Sequence, residues 1–100
     1  MAQTPREFAA KKLVGRRLKA ALANRGMTQT QLASAVGRPQ GVVSDWVSGQ
    51  RKIGFADTWR VAEALRQPLQ TLFGPPRTTD ERRQYKADED GYGPRSHAGY

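Results

Sequence analysis

Residues 27–49 read MTQTQLASAVGRPQGVVSDWVSG, and two short helices are written into them. Thr28 stands three places before Gln31, the Thr-x-x-Gln spacing of a capping box, in which hydroxyl and amide side chains satisfy each other's backbone N–H groups. Leu32, Ala33 and Val36 then share one helical face. Gly37 stops the helix, as a glycine just past a terminus commonly does. Pro39 pre-sets the backbone for a second start. Val42, Val43, Trp46 and Val47 mark the inner side of the next helix, and Gly49 closes it. The spacing predicts helices over 29–36 and 40–48 joined by a turn of three or four residues.

The same reading extends outward. Thr4-Pro5-Arg6-Glu7 is a second capping box, with proline at the first helical position. It opens a helix over 5–25 whose apolar positions are Phe8, Val14, Leu18 and Leu22, and Gly26 stops it. Residues 49–54, Gly-Gln-Arg-Lys-Ile-Gly, form a basic loop. A fourth helix is expected over 56–65, with Asp57 in its favourable first turn. Its buried stripe is expected at Trp59, Ala62 and Leu65, with Val61 beside it. Pro68 opens a short fifth helix through Leu69, Leu72 and Phe73, and Gly74-Pro75-Pro76 ends it. Residues 77–100 are rich in charge, glycine and tyrosine and almost lack aliphatic side chains. Such a segment cannot build a core, so at most one or two turns are expected over 79–86 and disorder from Ala87 onward. The expected fold is all-α: five helices over 1–74, followed by a polar, flexible tail over 75–100.

A folded part of about 70–75 residues has a marginal core. Trp46, Trp59, Phe8, Phe55 and Phe73 are its expected bulk, because each aromatic buries a large area. The charge is uneven. Residues 1–74 carry twelve basic and four acidic side chains, and residues 75–100 carry five of each. The whole net charge of +8 therefore lies on the helical part, as in domains that bind polyanions. Cysteine is absent, which excludes disulfides and thiolate metal sites. The single histidine, His97, lies in the tail, and no Ser/His/Asp or Cys/His set exists. Neither an enzyme nor a metal or cofactor site is expected. No apolar run approaches membrane-spanning length and no signal stretch is seen, so no membrane partner and a cytoplasmic location are expected.

Two short helices meeting at a tight turn form the helix-turn-helix, in which the second helix enters the major groove of DNA. Beyond the motif itself, Gly15, Leu18, Gly26, Thr28, Gln29, Leu32, Ala33, Gly37, Val43, Ser44, Gly49, Ala62, Leu65 and Leu72 stand in the order and spacing of a known family. Over about residues 13–73 the chain resembles the Cro/cI-type (XRE-like) family of bacterial and phage regulators. The resemblance implies a compact lambda-repressor-like domain that binds operator DNA. It also implies roles for particular residues. Gln29 faces a phosphate and braces Gln40, whose amide can donate to and accept from adenine. Arg17 and Lys19 stand where relatives touch the DNA backbone.

The remaining candidates follow from their positions. Gly41, Ser44 and Asp45 are the next outward positions of the second helix. Glycine permits close approach, and serine can donate or accept. Asp45 repels phosphate, yet it can accept from the cytosine amino group, reject other bases, or pair with Arg38. Arg38, Gln50, Arg51 and Lys52 flank the helix and suit phosphate contacts, which position a protein without specifying sequence. Where many relatives have a buried Arg–Glu pair, this chain has Leu22 and Val47. Exchanging both partners for apolar residues is often neutral or stabilising by about 1–4 kcal/mol, so Leu22 and Val47 are expected to touch. Ile53-Gly54 replaces the usual Pro-Ser.

So small a domain reaches few base pairs, and useful specificity calls for a homodimer on a palindromic site. Its expected contact surface is the fifth helix, at Leu69, Leu72 and Phe73. The expected function is a phage or bacterial repressor. Two rivals stand beside it: an antitoxin whose tail folds over a toxin, and an adaptor that has kept the fold without DNA binding. The sequence offers no ligand-binding domain for an effector.

Overall fold

A computed structural model describes residues 3–92. Among them all regular structure is helical: α1 Pro5–Arg25, α2 Gln29–Val36, α3 Gln40–Ser48, α4 Phe55–Leu65, α5 Leu69–Phe73 and α6 Thr79–Gly91. Both capping boxes form. The Thr4 hydroxyl accepts from Glu7 N at 3.0 Å while Glu7 Oε1 accepts from Thr4 N at 2.9 Å. Thr28 and Gln31 repeat the arrangement at 3.0 and 2.8 Å. The α2–α3 turn passes through Gly37 at φ 72°, where a side chain would be strained. The α4 start lies one residue earlier than expected, on Gly54 as N-cap.

One core joins five of the six helices. Leu18, Ala21 and Leu22 of α1, Leu32, Ala33 and Val36 of α2, Val43 and Trp46 of α3, Val61, Ala62 and Leu65 of α4 and Leu72 of α5 are all buried in it. Leu22 is buried in this cluster and Val47 packs at its edge. The α1 residue on which the Val47 backbone closes is Gly15. A Cβ there would lie 2.4 Å from the Val47 carbonyl oxygen. Lys12, on the same side of α1, donates to the Ser48 carbonyl at 3.2 Å and so ties down the last turn of α3.

The stripe on α4 differs from expectation. Its buried residues are Asp57, Val61, Ala62 and Leu65, while Trp59 is 54% and Phe55 75% exposed. Of the five aromatics expected in the core only Trp46 is fully buried. On α4 the change accompanies an ion pair. Arg38, at the α2–α3 turn, approaches Asp57 through Nη2 at 3.0 Å and Nε at 3.1 Å, drawing the carboxylate inward and setting the helix phase at 57–61–65. The two displaced rings lie against each other, with centroids 4.8 Å apart.

The tail is corrected as far as Tyr92. Residues 79–91 form α6, which packs along α1. The segment lacks aliphatic residues, but it does not need a core of its own. Glu81, Tyr85, Asp88, Glu89 and Tyr92 recur at helical spacing and form one face. Against them α1 sets Arg17, Arg16, Arg6 and Phe8. Glu81 pairs with Arg17 at 2.9 Å, Asp88 with Arg16 at 2.9 Å and Glu89 with Arg6 at 3.8 Å. The Tyr85 hydroxyl donates to the Arg6 carbonyl at 3.4 Å, and the Tyr92 ring lies 4.9 Å from that of Phe8. Ala9 and Leu13, buried outside the main cluster, lie on this same side of α1. The expected disorder beyond Tyr92 lies outside the described residues, and so does His97.

Candidate nucleic-acid interface

α3 is held from three sides: by α1 at Gly15 and Lys12, by α2 across the Gly37 turn, and by α4 through Arg38–Asp57. Val43 and Trp46 face inward, which turns Gln40, Gly41, Ser44 and Asp45 outward by helical geometry. Gln40 and Gly41 are exposed; Ser44 and Asp45 are half-buried. Gln29, the first residue of α2, and Gln40, the first of α3, come together: Gln40 Nε2 donates to Gln29 Oε1 at 3.3 Å. The contact leaves the Gln40 carbonyl oxygen and one amide hydrogen for another partner. At Gly41 a Cβ would meet nothing within 4 Å. Packing therefore does not demand glycine there, and alanine would suit the helix better by about 1 kcal/mol. Open space in front of a bare backbone is what a closely approaching ligand requires.

The cations divide into two groups. Gln50, Arg51 and Lys52 are exposed on the loop after α3. That loop is anchored by Asp45, whose carbonyl oxygen accepts from Gln50 N at 2.8 Å and whose carboxylate pairs loosely with Arg51 at 3.4 Å. Asp45 thus has Arg51, not Arg38, as its partner. Lys19 is exposed on α1. Arg38 keeps 46% of its side chain exposed while holding Asp57, so it braces the turn and still faces solvent.

Arg17 is different and is withdrawn as a candidate. Its side chain is 8% exposed. It donates to both Glu81 carboxylate oxygens and to the carbonyls of Leu72, Gly74 and Pro75, at 2.6–3.3 Å. The Arg17 guanidinium holds the Glu81 carboxyl at about 2, far below its ordinary 4.5, helped by backbone N–H donors from Arg77 and Thr78. A group with all its donors committed indoors cannot clamp a phosphate. The sequence reading missed two residues that shape this site, Asp57 and Glu81. The i, i+4, i+8 spacing of Asp57 with Val61 and Leu65 was a usable signal for the first. For Glu81 only the Thr78-x-x-Glu81 cap pattern was available, and it shows a helix start but no partner.

A short helix presented by its N-terminus, braced by the helix before it and followed by a basic loop, has the geometry of a helix-turn-helix. The helix-turn-helix family model matches residues 18–72, more than half of the chain, and the chain belongs to that family, in its Cro-like (XRE) branch. A solved structure that it resembles is the restriction-modification controller protein C.AhdI from Aeromonas hydrophila. The two share 27% identity with a TM-score of 0.63, over 66% of this chain and all of the other. No curated protein matches the sequence. Among the described residues no helix is long and apolar enough to cross a membrane.

Proposed function

We propose that the protein is a sequence-specific repressor that binds a palindromic operator as a homodimer, with α3 in the major groove. The Gln29–Gln40 contact carries this reading. It fixes the amide of the first α3 residue at an exposed position, where an adenine edge would find both a donor and an acceptor. Gly41 leaves room for the base beside it. Gln50, Arg51, Lys52 and the outer edge of Arg38 supply phosphate contacts that set the register. The C.AhdI likeness supports control of transcription, since that protein is a restriction-modification controller.

We put the surface joining two copies on Phe55 and Trp59 of α4 together with Leu69 of α5. Leu72 is 1% exposed and Phe73 half-buried, whereas Phe55, Trp59 and Leu69 are open to solvent. The antitoxin rival loses ground, because the tail as far as Tyr92 is already spent on α1.

Selection of bound sites from random duplex DNA tests the proposal. The wild-type chain should return two half-sites related by two-fold symmetry. Gln40→Ala should lose the preference at one adenine in each half-site, worth about 1–3 kcal/mol of discrimination. Recovery of DNA without any shared motif would overturn it.

A further inference from the structure

Beside the basic loop lies a cavity of about 510 Å³ between the start of α1, residues 51–53, the start of α4 and Phe73. That volume falls in the range of small-molecule sites, about 300–1,000 Å³. Val14, Ile53 and Phe73 line it with apolar surface, and Lys11, Arg51 and Lys52 line it with positive charge. Glu7 is the one carboxylate in the lining. Its Oε1 accepts from Thr4 N and its charge is felt by Lys11 and Lys52, while Arg51 also pairs loosely with Asp45; the lining still carries three cations against one carboxylate. The lining also contains Gln3. Its Oε1 is the only buried side-chain polar atom without a hydrogen-bond partner among the described residues. That oxygen is closed off from solvent, so Gln3 contributes wall to the cavity rather than a contact to its occupant.

We propose that this cavity is an effector site for a small organic acid with an apolar body and a terminal carboxylate. The body rests on Val14, Ile53 and Phe73. The carboxylate takes Lys11 and Lys52, with Arg51 beside them. Two of the three cations are the loop residues assigned above to DNA phosphates. A bound acid therefore competes with DNA for them, and binding of either lowers affinity for the other by the same factor. This regulatory half rests on the proposed DNA reading; the binding half does not.

The test uses the full chain and 3-(4-hydroxyphenyl)propionate as probe, followed by amide chemical shifts in solution. Saturable shifts are expected at Gln3, Lys11, Lys52 and Ile53. Tyramine, which exchanges the acid for an ammonium, should produce none. Ala10→Trp places an indole in the cavity from an exposed position and should abolish binding. Lys52→Gln, on the open loop, should weaken it about fivefold without disturbing the fold. Non-saturating or scattered shifts, or equal binding of tyramine, would overturn the site. At saturating acid, affinity for the selected operator should fall about fivefold or more. An unchanged affinity overturns the competition alone. A chain that selects no operator at all condemns the DNA reading, while the shift titration still judges the cavity.

Discussion

At the residue scale, a glycine and one ion pair, Arg38–Asp57, do most to place α3. Gly15 is required by proximity rather than by its dihedrals, because the backbone of α3 passes where a side chain would begin. Gly15→Ala should push α1 and α3 apart and destabilise the protein by about 1–3 kcal/mol, the usual cost of overpacking. Urea unfolding with an unchanged slope would measure it; an unaltered midpoint would contradict the contact. Arg38–Asp57 and Arg17–Glu81 show the same chemistry put to different ends. The first ties the helix-turn-helix to α4 and leaves Arg38 half in solvent. The second removes Arg17 from the surface altogether. From the sequence both arginines read as phosphate ligands, since a basic side chain on an amphipathic helix carries no local mark of an acidic partner 19 or 64 positions away.

At the element scale, the helices that were legible are those with start and stop signals: Thr28 with Gln31, Gly37, Pro39 and Gly49 reproduce α2 and α3 to the residue. α6 was only partly legible. Its Thr78 cap is visible, yet its low hydropathy argued against order, because its stabilising contacts are charged and lie on another helix. That origin has a pH consequence. Glu81 has a folded-state pKa near 2 against an ordinary 4.5. A depressed carboxyl stabilises the fold above its ordinary value and loses that contribution as pH falls through the folded one. The docking of α6 on α1 should therefore weaken as pH drops from about 4.5 towards about 2. Amide hydrogen exchange across 79–91 should rise in that window before the main core opens. Glu81→Gln should show the loosened α6 already at neutral pH and flatten the acid dependence. If α6 stays equally protected in the variant, Glu81 is not its anchor.

At the scale of the whole molecule, the α4 stripe decides what the domain would offer to the proposed second copy. With Asp57 turned inward, Phe55 and Trp59 are left outside as an adjoining aromatic pair, the side-chain types that dominate protein interfaces. Trp59→Glu should shift the chain to monomer mass in light scattering. It should also weaken binding to a two-half-site operator by about tenfold or more, the equivalent of ~1.4 kcal/mol, while binding to a single half-site stays unchanged. A variant that still dimerises would move the interface elsewhere.

The sequence alone determined the helix-turn-helix, its caps and its turn, while the meeting of Gln29 with Gln40 followed from the family resemblance. These rest on interactions spanning a few residues, or on one short turn of fixed geometry. Only the tertiary structure decided which arginines remain free, which aromatics are buried and whether residues 79–91 are ordered. The burial of Arg17, the inward turn of Asp57 and the order of residues 79–91 each go with charge pairing between distant elements. Such a pairing can turn a helix about its axis or fasten a polar one, and neither effect leaves a trace in local periodicity.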